Sequence, residues 1–74
     1  MISEKESETK VKKYANENNY TILANTFGTL EYVKYDYTVG RVTKFLKWPK
    51  GSDSISISVN NVTTKIKLSD IRDD

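Results

Sequence analysis

Ser54-Ile55-Ser56-Ile57-Ser58-Val59-Asn60-Asn61-Val62-Thr63-Thr64-Lys65-Ile66-Lys67-Leu68 is the stretch that decides the fold. Apolar residues occupy every second position up to Val59, and the alternation resumes at Val62. An extended strand sends successive side chains to opposite faces, so this pattern reads as two strands, each wet on one side. Asn accepts positive φ, and Asn60-Asn61 fits a two-residue type I′ turn. That register pairs Val59 with Val62, Ile57 with Thr64 and Ile55 with Ile66 on the buried face. Ser58/Thr63, Ser56/Lys65 and Ser54/Lys67 fall on the wet face. A lone hairpin is marginal in water, so it needs more strands or a helix to cover it.

Both are predicted upstream. Pro49-Lys50-Gly51-Ser52-Asp53 is a turn cluster. Before it, Leu30 to Thr38 and Arg41 to Trp48 read as strands around Val39-Gly40, rich in the Tyr, Val, Thr and Phe that suit a pleated surface. Tyr20 to Phe27 reads as a further strand, ended by Gly28. Ser3 to about Asn18 reads as a helix, with Ser3 as N-cap and Glu6 closing a capping box. Glu6–Lys10 and Glu8–Lys12 are i,i+4 pairs in the favourable order. Val11, Tyr14 and Ala15 share a helix face whose earlier turns carry Glu4, Ser7 and Glu8, so the second half does the packing. Asn18-Asn19 is a natural stop, because Asn tolerates the left-handed conformation. After the last strand, Ile71 is expected to pack as an anchor.

The expected fold class is therefore α+β in one domain, 1–74: helix over 1–19, antiparallel β over 20–71, acidic tail at 72–74. The order points to a small SH3- or Sm-like barrel or curled sheet with the helix on one end. An open sheet with the helix across one face is the alternative. The segments Val39-Gly40-Arg41-Val42, Ile55/Ile57 and Lys65-Ile66-Lys67-Leu68-Ser69-Asp70-Ile71 loosely resemble small barrel modules such as the YolD-like proteins of Gram-positive bacteria and their prophages. The likeness spans residues 39–71 and carries no functional residue with it.

The 74 residues include no Cys and no His, which removes thiolate chemistry, the commonest metal ligand and the commonest general base. Ser52, Ser54, Ser56 and Ser58 have no base placed to activate them and read as a wet strand face. Gly28 and Gly40 stand alone, outside any phosphate-loop pattern. Asp70, Asp73 and Asp74 lack the Gly-containing loop of an oxygen-ligand site. We expect no enzyme, no cofactor and no metal. No apolar run approaches the roughly 18–20 residues that span a bilayer, and the polar start is unlike a signal peptide, so the expected location is cytoplasmic. Frequent Lys, Asn, Ile and Tyr with scarce Ala and Pro are expected of an AT-rich genome, as in low-GC bacteria, their phages and plasmids.

Net charge is only +2, but between Tyr32 and Lys67 seven basic residues face Asp36 and Asp53 alone. With Val39-Gly40 as a two-residue turn, Tyr37/Val42, Tyr35/Lys44 and Val33/Leu46 face inward with Trp48. Tyr32 then stands beside Lys47, and Lys34 beside Phe45, on the opposite face. With Arg41 these form the candidate binding surface: Tyr32, Lys34, Arg41, Phe45 and Lys47. A different turn length would slip the register and swap the faces. The expected function is a small regulatory or accessory module that binds a protein, a second copy of itself included. The alternative is a nucleic-acid binder that stacks bases on these rings and neutralises phosphates with the lysines.

Overall fold

The computed structural model describes residues 4–71. Helix α1 (Glu4–Glu17) precedes five strands: β1 (Thr21–Asn25), β2 (Thr29–Asp36), β3 (Arg41–Pro49), β4 (Ser54–Val59) and β5 (Val62–Lys67). A short 3-10 turn, Leu68–Asp70, follows. The strands form one antiparallel sheet in sequential order, β1-β2-β3-β4-β5. β1 and β5 are its edges, and the ladder does not close. The α+β class is as expected.

The β4–β5 hairpin forms as its alternation requires. Asn60 and Asn61 sit at φ 52° and 69°, and all six expected pairs are present, from Val59↔Val62 to Ser54↔Lys67. Ile55 and Ile57 are buried and Ile66 is half-buried, while Thr63, Lys65 and Lys67 are exposed. Val59, Val62 and Thr64, expected on the buried face, are exposed, because the core cluster reaches only as far as Ile57 and Ile66.

α1 ends at the expected asparagines. Asn19 adopts φ 63°; the Tyr20 N–H donates to the Ala15 carbonyl at 2.8 Å and the Asn19 N–H to the Asn16 carbonyl at 3.2 Å. This is a Schellman motif with Asn in the left-handed position, and it turns the chain into β1 with Tyr20 packed on the core. The expected cap, Ser3, lies outside the described residues, as does the acidic tail from Arg72 onward.

The core lies between α1 and one face of the sheet. Val11 and Ala15 from the helix meet Leu30, Tyr32, Leu46, Trp48, Ile55, Ile57, Leu68 and Ile71. Ile71 is thus the expected anchor. Trp48 is fully buried, and its indole N–H donates to the Ser52 carbonyl at 2.9 Å, so its polar atom does not go unpaired. Lys50 fastens the helix to the sheet. Its ammonium lies 3.5 Å from Glu8 Oε1 and donates to Asn25 Oδ1 at 2.8 Å, while Glu8 also holds Lys12 at 3.0 Å. Sequence alone counts Lys50 among the basic surface; the fold uses it as a clasp.

The β2–β3 hairpin departs from expectation twice. Its loop is four residues long, Tyr37–Gly40, closed by Asp36↔Arg41. Asp36 organises it: Oδ1 accepts from the N–H groups of Thr38 (2.9 Å) and Val39 (3.3 Å), and its carbonyl accepts from Gly40 at 2.7 Å. Asn and Asp side chains commonly imitate a backbone turn in this way. The longer loop moves the register by two, which leaves the faces alone. Then Tyr35 pairs with Val42 but Lys34 with Lys44, so Thr43 is an extra residue, a bulge. That slip of one turns the rest of β2 over relative to β3. Leu30, Tyr32 and Lys34 lie on the helix side with Lys44, Leu46 and Trp48, while Glu31, Val33 and Tyr35 lie on the outer side with Val42, Phe45 and Lys47.

Candidate functional site: the outer face of the sheet

The five residues expected to share one surface are divided between two. Tyr32 is buried in the core. Removal from water raises its phenol above the usual tyrosine value, against a smaller opposing pull from Lys12. Lys34 also lies on the helix side, its ammonium 5.9 Å from the centre of the Tyr20 ring. Arg41, Phe45 and Lys47 remain exposed. Phe45 and Lys47 point outward, away from α1. Arg41, paired with Asp36 one step beyond Tyr35↔Val42, falls on the opposite side by alternation and borders the cleft beside Phe45 from the end of the hairpin. The chequerboard built on Tyr32 beside Lys47 and Lys34 beside Phe45 is not formed; the Thr43 bulge is the reason.

Another surface takes its place. On the outer face Val33 pairs with Phe45, and Tyr35 with Val42. Phe45 is 48% exposed and Tyr35 45%. Tyr37 leans on Tyr35 edge-on, the ring centres 4.8 Å apart and the planes at 65°. The next row along the strands reads Glu31–Lys47–Ser56–Lys65, and Lys67 stands beyond Lys65 on the same side. Beside Phe45 an open cleft of about 310 Å³ runs between Arg41, Val42 and Ser58 to the Asn60-Asn61 turn. So the face has an apolar centre, a shallow cleft bordered by Arg41, and three lysines against the carboxylate of Glu31.

The two-residue turn expected from the sequence puts Val33, Tyr35, Tyr37 and Val42 inward; instead Val33, Tyr35 and Val42 lie on the outer face and Tyr37 is exposed in the loop. β2 carries apolar residues on both faces, and periodicity cannot choose between them. Pairing Leu30, the bulkiest aliphatic of β2, with Trp48 would have found the register, since the two largest fully buried side chains are indeed partners.

The sheet edges are poor places to add a strand. β1 is five residues long and bulged at Leu23, because its partners step from Ile22↔Tyr32 to Ala24↔Glu31. β5 carries Lys65 and Lys67 along its open side. Short, bulged and lysine-bearing edges resist edge-to-edge pairing.

Among the described residues no three Asp or Glu side chains converge as metal ligands would, and no buried side-chain nitrogen or oxygen lacks a hydrogen bond. None of the described helices is long and apolar enough to cross a membrane. Comparison with protein-family models, curated proteins and solved structures finds no match, so the likeness to YolD-like modules gains no support.

Proposed function

We propose that the chain is a small non-enzymatic accessory or regulatory module that works by docking a protein on the outer face of its sheet. The observation that carries this reading is the Val33, Tyr35, Val42 and Phe45 group: contiguous and half-exposed. A sheet of this size needs one apolar face, and α1 packs on the centre of that face. A second apolar patch on the wet side is an expense that folding does not require. Exposed patches with a polar rim mark interaction sites, and aromatic residues and Arg dominate the energetics of protein contacts. The blunted edges favour face docking over strand addition.

The cations on the same face support a second reading, single-stranded nucleic acid. Base stacking asks for open ring faces. Here two of the four central residues are valines, and Tyr35 is engaged edge-to-face with Tyr37. The protein reading fits better.

Pulldown from host lysate with wild-type and Phe45→Thr chains, with and without nuclease, tests the choice. Thr keeps strand propensity, so the variant should stay folded. We expect a protein that survives nuclease and is lost with Phe45→Thr. Release by nuclease would favour the second reading. Equal capture by both chains would sink the outer face as the site.

A further inference from the structure

The outer face also constrains the chemistry of its occupant. We propose that it binds a short acidic segment of another protein. The segment's apolar side chains sit on Val33, Tyr35, Val42 and Phe45, and its carboxylates lie against Arg41, Lys47 and Lys65. This rests on the docking reading above and deepens it.

Charge complementarity is the first argument. Lys47, Lys65 and Lys67 meet only Glu31 on this face, and none of the three is drawn into a salt bridge by a described residue. Glu8 is engaged on the helix side with Lys12 and Lys50, and Asp36 stands opposite Arg41 at the end of the hairpin, away from the three lysines. Complementary potentials across an interface set partner choice and association rate.

Arrangement is the second. Arg41 borders the cleft at one end of the apolar group, from the end of the hairpin. Lys47 lies two residues beyond Phe45, on the other side. Residues two apart on a strand are separated by about 6.8 Å. A chain laid across the apolar centre therefore meets a cation on either side.

Size is the third. Five strands spaced about 4.8 Å apart and some six residues long give a footprint of roughly 20 by 20 Å. That is about half of the ~800 Å² per partner that a stable globular interface buries. A short segment fits such a face; a large rigid partner does not. A second copy of the chain fits poorly too, because three lysines would face three more.

The test is a random-peptide display selection on the full chain, with counter-selection on the Tyr35→Thr/Phe45→Thr double variant. Circular dichroism should first show that this variant folds. Selected peptides are then titrated into isotope-labelled protein and followed by amide shifts. We expect peptides in which Asp and Glu flank aromatic or aliphatic residues, with shifts at Val33, Tyr35, Phe45 and Ser58. Lys47→Glu/Lys65→Glu should weaken them more than about tenfold, and added salt should weaken them as well. Peptides without acidic bias that still map to the face would overturn the acidic inference and leave the docking face standing. Peptides that map elsewhere, or no peptides at all, would overturn both. A mixed-sequence single-stranded oligonucleotide that binds the face more tightly than any selected peptide would also overturn both.

Discussion

The two hairpins of this sheet are built on opposite principles. In β4–β5 the turn is minimal, two asparagines at φ 52° and 69°, and the strands are regular to their ends. One face is apolar and the other is Ser, Thr and Lys, so turn and pattern specify the same register twice. In β2–β3 the loop is four residues, β3 carries a bulge, and β2 has large side chains on both faces. Its register is held by the core, where Leu30 and Tyr32 of β2 lie opposite Trp48 and Leu46 of β3. The lesson is about function as well as folding. The hairpin specified by its own turn has a plain polar outer face. The hairpin specified by the core carries the exposed rings.

Deletions should separate the two most sharply. Removing Ser56 shifts the alternation of β4 by one, so either Ile55 or Ile57 must turn outward. We expect a loss above roughly 3 kcal/mol, enough to unfold so small a domain. Removing Thr43 takes out the bulged residue itself. Tyr35↔Val42 and Lys34↔Lys44 then become consecutive pairs, and Leu46 and Trp48 stay inside. Its cost should be below about 1 kcal/mol. Urea unfolding of both variants measures this. Equal losses would mean that the bulge is not a spare residue and that the contrast is wrong.

That difference explains what was legible in the sequence. The Ile55/Ile57 alternation and Asn60-Asn61 are local signals, and they place six pairs without reference to the rest of the chain. Asn19 is local too, and α1 ends there. Thr43 carries no local mark: a Thr suits a strand interior as well as a bulge. Asp36 could have hinted at the longer loop, since Asp caps turns. The choice between a two-residue and a four-residue loop, however, is settled by burial of Leu30 against Trp48, a tertiary fact. The candidate surface inherited the error. Phe45 and Lys47 belong to β3, whose buried side is marked by Leu46 and Trp48, and they face outward as that pattern implies; Arg41 lies beyond the Thr43 bulge, which turns it to the other side. Tyr32 and Lys34 were placed on the wrong face because they belong to β2. Lys50 was counted as a surface cation because nothing local connects it with Glu8 or Asn25.

The turns themselves should respond with opposite signs. Gly40 sits at φ +80°, with open space where a Cβ would be, so the cost of Gly40→Ala is backbone strain alone. We expect a loss of about 1–2 kcal/mol. Asn61, at φ 69°, already tolerates the left-handed region, but Gly does so at lower cost. Asn61→Gly should stabilise by roughly 0.4–1 kcal/mol. Denaturant midpoints of the two variants should move to either side of wild type. A destabilising Asn61→Gly would argue that the asparagine side chain, rather than its backbone tolerance, holds that turn.

Titration near neutrality should spare both hairpins. The carboxylate with a resolved shift is Glu8, in the helix clasp. Its hydrogen bond from Lys12 and the nearby charges hold it below its usual value of 4.5, against the opposing effect of desolvation. A lowered carboxylate stabilises above its unfolded value, and that stability is lost as pH falls through the folded one. The loss therefore belongs below about pH 4.5. Tyr20 and Tyr32 are raised above 10.0, chiefly by burial, so their contribution is present below pH 10 and lost as pH rises beyond it. Between about pH 5.5 and 7.5 no ordinary side chain of this composition titrates, and unfolding free energy should change by less than about 1 kcal/mol. Unfolding curves at several pH values check this, and Glu8→Gln should remove much of the acid limb. A larger change near neutrality would require a strongly shifted group in one of the hairpins.

The smallest expected effect concerns charge. β2–β3 places Lys34 directly opposite Lys44, whereas in β4–β5 Lys65 and Lys67 face Ser56 and Ser54. Like charges directly opposed on a sheet are destabilising, and opposed charges of unlike sign contribute roughly 0.2–1 kcal/mol. Lys34 finds partial relief above the Tyr20 ring, 5.9 Å from its centre, and Lys44 has no carboxylate partner among the described residues. Lys44→Glu should therefore stabilise the fold by a few tenths to about 1 kcal/mol. Added salt gives the sign its own check. Screening weakens repulsion in the wild type and attraction in the variant, so the gain should shrink as salt rises. The pair lies on the helix side, so the outer-face contacts of Phe45 and Lys47 should be untouched, and peptide binding there should match wild type. If Lys44→Glu instead destabilises at every salt concentration, the aliphatic stem of Lys44 beside Val59 matters more than its charge, and this hairpin too is held by packing at that row rather than strained by it.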